Sequence, residues 1–172
     1  SGGVAVLKVG APTESAQKEL KQRVEDAVAA TRAAMEEGIV PGGGIALFNV
    51  TLKMQKPTGN PVSEAAHAIL THALQAPITA IVTNSGESAS SIISKLKARA
   101  ESDHWTGFNA MTNSMADLKS AGIIDPLKVT KTAFLNAVSV AANYLVVGAA
   151  ITEVPKPEAP SAGGGMPGGM GY

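Results

Sequence analysis

The longest regular pattern of apolar and polar positions in this chain runs from Thr13 to Gly38. Apolar, small or threonine residues recur there at the spacing of an α-helix: Ala16, Leu20, Val24, Ala27, Val28, Thr31 and Met35. The Thr13 hydroxyl is suited to cap the first turn, and Gly38 is suited to end the last turn. The pattern predicts one long amphipathic helix between them.

Shorter signals flank this helix. Val4 to Val9 is rich in valine and is ended by Gly10, which predicts a short strand. After the helix, Pro41 and the glycines at 42–44 predict a loop, and Ile45 then begins a second helical segment. The expected unit is a helix, a glycine loop and a helix.

The middle of the chain carries two further helical segments and a turn. Residues 63–84 are alanine-rich, and Pro77 is expected to kink or break that helix because proline lacks a backbone N–H. A shorter helix is expected from 88 or 90 to 100. Trp105 to Asn109 predicts a turn between short extended pieces.

The C-terminal part begins with a strong helix-start signal. Asp125 is a capping carboxylate, and Pro126 suits the first helical position, so a long apolar helix is expected towards Val147. Residues 149–154 predict a last strand. From about Lys156 onward the chain is rich in proline and glycine, and we predict a disordered tail.

Composition narrows the classes of protein that these elements can form. Apolar residues make up 45% of the chain and aromatic residues only 3%, so closely packed helices of Ala, Val, Ile and Leu are expected. The formal net charge is zero, which argues against nucleic acid or an anionic membrane as a partner. No membrane-spanning run is expected, and the lack of cysteine favours a reducing compartment such as the cytoplasm.

The glycine triplet is the first candidate for chemistry. Gly42, Gly43 and Gly44 allow backbone amides to approach a ligand, and the helix that follows presents unpaired N–H groups. The spacing matches neither a GxxxxGK[ST] phosphate loop nor a GxGxxG fingerprint. A helix terminator without a ligand is therefore the simpler interpretation of the residues alone.

Asp26 is the second candidate. At about 100° per residue it lies opposite Leu20 and Val24, beside a small-residue surface that includes Ala29 and Ala33. A carboxylate there could hold a Mg²⁺-bound phosphate or orient water. A solvated helix aspartate is the alternative, and it is the more common case.

Asp125 and Asn109 are weaker candidates. The Asp125 carboxylate is expected to cap a helix, although such a group also accepts sugar hydroxyls. The Asn109 amide can pair with a base edge or can serve only the local turn. His67, His72 and His104 lack metal-ligand spacing, so no histidine-ligated metal is predicted.

Read together, these strings resemble the group I chaperonins, the GroEL-type heat-shock proteins. The resemblance is carried by residues 23–27, by Ala30 to Leu47 with its Glu-Glu-Gly-Ile-Val-Pro-Gly-Gly-Gly core, by Gly122 to Thr130, by Thr152 to Pro155, and by the Gly-Gly-Met tail. Met111 and Pro41 depart from the usual pattern, where alanine is common. The chain is similar to the C-terminal third of such a subunit.

The resemblance implies a mainly α fold with a few short strands. A strand and a long helix at 1–37 would belong to the intermediate domain, 38–155 to the equatorial helical bundle, and 156–172 to the tail. Asp26 would promote attack of water on ATP, and Gly43 would approach the nucleoside within the triplet. Asn109, Ala110 and Met111 would lie beside the adenine, Ile123 would contact the base, and Asp125 would bind the ribose hydroxyls.

The resemblance further implies ATP and Mg²⁺ as cofactors, with the metal held mainly by segments that this chain lacks. The parent would form seven-membered rings in the bacterial cytoplasm, act with a co-chaperonin, and bind non-native proteins through an apical domain absent here. The chain alone is expected to turn over no appreciable ATP, since half a site cannot position three phosphates. The alternatives are a helical interaction module without nucleotide chemistry and, less favoured, a complete small nucleotide-dependent enzyme.

Overall fold

The computed structural model describes residues 2–99 and 103–152. Within them the chain forms five helices and four short strands, which confirms a mainly α fold. The helices are α1 (Glu14–Glu37), α2 (Ile45–Lys53), α3 (Pro61–Asn84), α4 (Ala89–Arg99) and α5 (Leu127–Leu145). The strands are β1 (Ile39–Pro41), β2 (Thr106–Asn109), β3 (Ser114–Asp117) and β4 (Ile124–Pro126).

Helix α1 has the ends that the sequence predicts. The Thr13 hydroxyl accepts a hydrogen bond from the Ala16 N–H at 3.3 Å, and this satisfies one of the free donors of the first turn. Gly38 follows the last turn at φ 86°, a conformation that glycine adopts without strain, and its N–H donates to the Ala34 carbonyl.

The strand predicted at 4–9 is wrong. This segment lies along α1, where the Gln17 side-chain amide donates to the Val9 carbonyl at 3.1 Å. A strand requires a hydrogen-bonded partner strand, and no described segment pairs with these residues. The valine-rich segment is therefore extended, but its backbone joins neither of the two small sheets described below.

Two small antiparallel sheets join segments that are distant in the sequence or adjacent in a hairpin. Strand β1 pairs with β4, with Val40 opposite Asp125, and β2 pairs with β3, with Asn109 opposite Ser114. The turn predicted at 105–109 is wrong in position, because 106–109 is a strand and the chain reverses at 110–113. Asn113 has φ 49° in that reversal, a conformation that asparagine tolerates.

Helix α3 begins earlier than predicted and is not broken. The Asn60 side-chain carbonyl accepts from the Val62 and Ser63 N–H groups, so Asn60 caps the helix and the helix starts before residue 63. Pro77 lies inside the helix, which continues to Asn84. The next helix, α4, is described to Arg99, and the predicted end at Ala100 lies outside the described residues.

The core forms where α2, α3, α4 and the β2–β3 hairpin meet. Its fully or almost fully buried side chains are Ile45, Phe48, Ile78, Val82, Ile92, Leu96, Phe108 and Leu118. Aliphatic residues supply most of this core, as the low aromatic content indicated. Neither α1 nor α5, both described along their whole length, contributes a buried residue.

The C-terminal elements differ from the prediction in three ways. Asp125 does not cap α5, because it belongs to β4 and Pro126 precedes the helix without a side-chain cap. The helix ends at Leu145 rather than Val147. Residues 149–152 form no strand, while 153 and 154 and the predicted tail lie outside the described residues.

One described helix, α3, is long and apolar enough to cross a membrane by length and composition. The expectation that no segment meets this criterion is therefore wrong. Leu74, Ile78 and Val82 of α3 are buried inside the protein. A core helix of this composition satisfies the same criterion without a membrane.

Candidate functional site

Gly42 and Ile123 bring the glycine loop against the start of β4. The Gly42 N–H donates to the Ile123 carbonyl at 3.0 Å, which extends the β1–β4 pairing by one bond. A Cβ on Gly42 would lie 3.1 Å from the Ile123 carbonyl carbon, closer than ordinary side-chain contacts. The close approach of the two backbones therefore explains a glycine at this position.

Gly43 and Gly44 have different environments. Gly43 is half-buried at φ 64°. The nearest atoms from residues distant in the sequence are those of the Ile123 side chain and the Phe108 carbonyl, both 3.9 Å from an added Cβ. Gly44 starts α2 and rests on the backbone of Ile78. Gly43 is thus the member of the triplet that has open space beside its backbone.

The Asn109 to Met111 segment forms a turn at the end of β2. The Asn109 side-chain carbonyl accepts from the Met111 N–H at 2.9 Å, which is the local interaction considered for asparagine in a turn. Ala110 is exposed, and the Met111 side chain is 93% exposed. The side-chain carbonyl of Asn109 is therefore engaged, while its NH₂ group has no hydrogen-bond partner among the described residues.

Asp125 is the most distinctive polar group near the glycine loop. It is half-buried opposite Val40, and burial raises the pKa of its carboxyl. Within residues 2–99 and 103–152, no side chain or backbone N–H donates a hydrogen bond to this carboxylate. A desolvated carboxylate without a donor is suited to accept a hydrogen bond from a ligand hydroxyl.

The structure thus brings together most of the residues that the sequence analysis selected. A Cβ added at Gly43 would lie 3.9 Å from both the Ile123 side chain and the Phe108 carbonyl, Asn109 follows Phe108 in β2, and Asp125 lies two residues after Ile123. We call Gly43, Asn109, Ile123 and Asp125 the loop-strand cluster. It combines an open backbone, an apolar side chain, an amide and a carboxylate.

Asp26 is not part of the loop-strand cluster. It is exposed on α1, about 18 Å along the helix axis from Gly38, since each residue adds about 1.5 Å. Ala29 and Ala33, predicted to form an open small-residue surface, instead line a groove of about 560 Å³ between α1 and residues 5–9. None of the residues proposed to bind the cofactor lines this groove.

Two ion pairs between α1 and α5 were missed by sequence reasoning. Lys128 donates to Glu36, and Lys131 donates to Glu37 at 2.5 Å. Glu36 raises the pKa of Lys128, chiefly through this hydrogen bond. The sequence feature that could have indicated them is the pair of carboxylates in the last turn of α1. Negative charge there is unfavourable with the helix dipole, and a cation from another element stabilises it.

Neither a metal site nor a histidine adds a functional group to the loop-strand cluster. Among the described residues there is no group of three or more His, Cys, Asp or Glu side chains that could hold a metal ion. His67 and Thr71, one turn apart on α3, each have a buried polar atom without a hydrogen-bond partner in the described part of the chain. They lie on the same helix and not in the loop-strand cluster.

Comparison with known proteins agrees with this helical architecture, which is that of a chaperonin equatorial-type domain. A model of the TCP-1/cpn60 chaperonin family matches residues 1–155. The chain therefore belongs to the TCP-1/cpn60 chaperonin family.

Among solved structures, the fold is similar to the open-state monomer of a group II chaperonin from Methanococcoides burtonii, with a TM-score of 0.67 and 23% sequence identity. This similarity covers 78% of the present chain and 35% of the other chain, so the present chain spans about a third of that protein's length. The neighbour belongs to group II, and it does not support the group I membership expected from the sequence strings.

Proposed function

We propose that this chain is part of a longer ATP-dependent chaperonin and supplies the nucleoside side of its nucleotide site. The observation that carries this proposal is Asp125, a half-buried carboxylate that lies beside the glycine loop and accepts no hydrogen bond from the described residues. Adjacent ribose hydroxyls supply the donors that such a group requires. Burial of the carboxylate strengthens each hydrogen bond formed with it.

The other members of the loop-strand cluster fit the remainder of a nucleoside. Ile123 offers an apolar surface to one face of a base, and the Asn109 NH₂ group can donate to an acceptor on the base edge. Gly43 has no side chain to obstruct the ligand, and its nearest non-local neighbours leave one side of its backbone open. These residues orient a nucleoside but provide no cation to hold phosphates.

The phosphates and Mg²⁺ belong, in this proposal, to segments of the longer protein outside this chain. A bound Mg²⁺ would neutralise charge on the phosphates during hydrolysis. The chain alone therefore has no appreciable turnover, because it lacks the groups that position the γ-phosphate and the attacking water.

Asp26 supplies the hydrolytic function by orienting that water. Its distance from the loop-strand cluster means that α1 must turn about its C-terminal end, and Gly38 is suited to be the pivot. A side chain added at Gly38 would meet nothing within 4 Å, so the backbone there has room to change. Closure that completes a catalytic site in this way couples ATP hydrolysis to a conformational step.

In the parent protein, this cycle would drive the folding of non-native proteins inside a ring assembled from several subunits. Clients would bind through a domain that this chain does not contain. The seven-membered ring and the separate co-chaperonin expected from the group I resemblance are not part of the proposal, because the structural neighbour is of group II. The cytoplasmic location stays a prediction from the sequence.

Calorimetric titration with Mg-ATP tests the nucleoside site. We expect no binding to the chain alone, and binding after addition of a separately expressed N-terminal part of a related chaperonin. Asp125→Ala should abolish that binding. Glu87→Ala, which removes an exposed carboxylate between α3 and α4, should leave it unchanged.

The remaining outcomes assign the chain to the two alternative classes. Absence of binding even to the complemented protein would favour a helical interaction module without nucleotide chemistry. Tight binding or hydrolysis by the chain alone would mean that it carries a complete nucleotide site, and the divided site proposed here would be wrong.

A further inference from the structure

Met111 is the most exposed methionine among the described residues, and it lies at the edge of the loop-strand cluster. Its side chain is 93% exposed in the reversal between β2 and β3. Met35 on α1 is 83% exposed, whereas Met54 and Met115 are half-buried. A peroxide that reaches the sulfur atom of a methionine oxidises it to the sulfoxide, so exposure makes Met111 open to this modification.

Local hydrogen bonds hold the backbone around Met111. Its N–H donates to the Asn109 side-chain carbonyl at 2.9 Å, and the Thr112 N–H donates to the Asn109 main-chain carbonyl at 3.3 Å. The Thr112 and Ser114 hydroxyls share a hydrogen bond at 2.8 Å. Because the Met111 side chain projects from this turn and is not part of the core, a chemical change at its sulfur atom removes no packing contact of the fold.

The hydrogen bond from Met111 also determines which end of the Asn109 amide is free. Because the side-chain carbonyl accepts from the Met111 N–H, the NH₂ group is the end without a partner in the described part of the chain. This NH₂ group is the donor that the proposed nucleoside site offers to the base edge. Methionine has an unbranched, flexible side chain, so the Met111 sulfur atom can approach both the base and this NH₂ group.

The oxidation state of the Met111 sulfur atom decides which interactions it makes. The thioether is apolar and polarizable, and it makes favourable contacts with the edge of an aromatic ring such as a nucleotide base. The sulfoxide is polar, and its oxygen atom accepts hydrogen bonds. That oxygen atom competes with the base for the Asn109 NH₂ group. Oxidation therefore removes one contact with the base and occupies the donor that makes another.

We propose that Met111 is an oxidation-sensitive residue of the nucleoside site, and that its conversion to the sulfoxide by a peroxide weakens nucleotide binding. This inference rests on the proposed function, because it concerns the same site. In the reaction with hydrogen peroxide, the sulfur lone pair attacks one oxygen atom, the O–O bond breaks, and the other oxygen atom leaves as water. Sulfur is oxidised and the peroxide is reduced. A methionine sulfoxide reductase supplied with electrons from a thiol reverses the change.

Peptide mass spectrometry of the full chain after treatment with hydrogen peroxide tests the modification itself. We expect the sulfoxide to form faster at Met111 than at the half-buried Met54 and Met115. In the chain complemented with the N-terminal part of a related chaperonin, Mg-ATP should slow the oxidation of Met111 but not that of Met35. Met35 is the internal control because it lies about 180° from Asp26 around α1, on the face that does not approach the nucleotide.

Calorimetric titration of the complemented protein with Mg-ATP tests the effect on binding. Peroxide treatment should weaken binding by about tenfold, the loss expected when a sulfur contact and a hydrogen bond are both removed, and the reductase should restore the affinity. Met111→Leu should have the same affinity before and after treatment, because leucine is not oxidised. Met35→Leu should remain sensitive to the treatment. Since Met111→Leu keeps the other methionines, it also reports any effect of their oxidation.

Three results would overturn this inference and leave the nucleoside site in place. Met111 could resist oxidation in the chain alone, the protein could bind Mg-ATP equally well with Met111 fully oxidised, or Met111→Leu could lose as much affinity on treatment as the unaltered sequence. The last result would assign the effect to another methionine. If the untreated complemented protein binds no Mg-ATP, the proposed function is wrong and this inference is wrong with it.

Discussion

Gly44 lies directly on the backbone of Ile78, so that a Cβ at Gly44 would be only 2.7 Å from the Ile78 nitrogen. The carbonyl carbon of Pro77 is also within 3.2 Å of that position. The third glycine of the triplet is therefore a packing residue that fixes the loop and the start of α2 against α3. Gly43, one residue earlier, keeps its open side because the loop is held in this way.

Gly44→Ala should destabilise the chain strongly. Gly44 has φ 77°, where an alanine costs about 1 to 2 kcal/mol, and displacement of a helix backbone adds a further cost of about 1 to 3 kcal/mol. Gly59→Ala is the matched control, since Gly59 has φ 81° and nothing within 4 Å of an added Cβ. The free energy of unfolding of both variants, measured by urea denaturation, separates the cost of backbone strain from that of steric overlap with α3. Equal losses of stability in the two variants would contradict the packing role of Gly44.

Asp125→Asn should increase stability at neutral pH and change it little in acid. Burial raises the pKa of Asp125, so the folded state holds the proton more tightly than the unfolded state. The stability that the protonated carboxyl supplies is present in acid and is lost as the pH rises through the raised folded pKa. The gain at neutral pH should be below about 1 kcal/mol, because the group is partly solvated.

Asp117→Asn provides a control with the opposite sign. The Ser120 hydroxyl donates to Asp117 at 2.6 Å and lowers the pKa of this carboxyl. Stability from the charged form is present at neutral pH and is lost as the pH falls through the lowered folded pKa. Urea denaturation at several pH values should show the two variants diverging at neutral pH, and a common direction there would refute the assigned causes.

The local features of the fold were accessible from sequence because they depend on neighbouring residues. The Thr13 cap follows from its hydroxyl, and the Gly38 terminator and the start of α2 after Gly44 follow from the positive φ that glycine adopts, all within one turn of a helix. The strand pair β1–β4 was not predicted. Three residues are too few for an alternating pattern, and their partner lies far along the sequence.

The candidate site was predictable only in part for the same reason. Gly43, Asn109, Ile123 and Asp125 were selected by resemblance, and their arrangement depends on the β1–β4 register and on the position of the Phe108 carbonyl beside Gly43, 3.9 Å from an added Cβ. Asp125 was also expected to cap α5, which it does not, because pairing with Val40 continues the strand through Pro126. Long-range pairing thus decided the environment of the carboxylate.

The Glu37–Lys131 ion pair should contribute a small, salt-sensitive coupling between α1 and α5. Both side chains are partly exposed, so a double-mutant cycle with Glu37→Gln and Lys131→Met should give about 0.5 to 1 kcal/mol at low salt and less at high salt. The Glu14–Lys18 pair within α1 is the control and should give about 0.3 kcal/mol. A coupling no larger than in this control would mean that the two helices are held by other contacts.

Asp26→Asn should separate hydrolysis from binding and from stability. The side chain is exposed and far from the loop-strand cluster, so the free energy of unfolding of the chain should change by less than about 0.5 kcal/mol. In a complete chaperonin subunit that contains this sequence, ATP binding should be retained. Turnover should fall by about 100-fold or more, the usual contribution of a group that takes a proton from attacking water.

The neighbouring residue Glu25 gives the control for this experiment. It is also exposed, but at about 100° from Asp26 around the helix it points elsewhere and forms an ion pair with Lys21. Glu25→Gln should leave turnover unchanged. If Asp26→Asn also left turnover unchanged, the proposal that α1 turns about Gly38 to bring Asp26 to the nucleotide would be wrong.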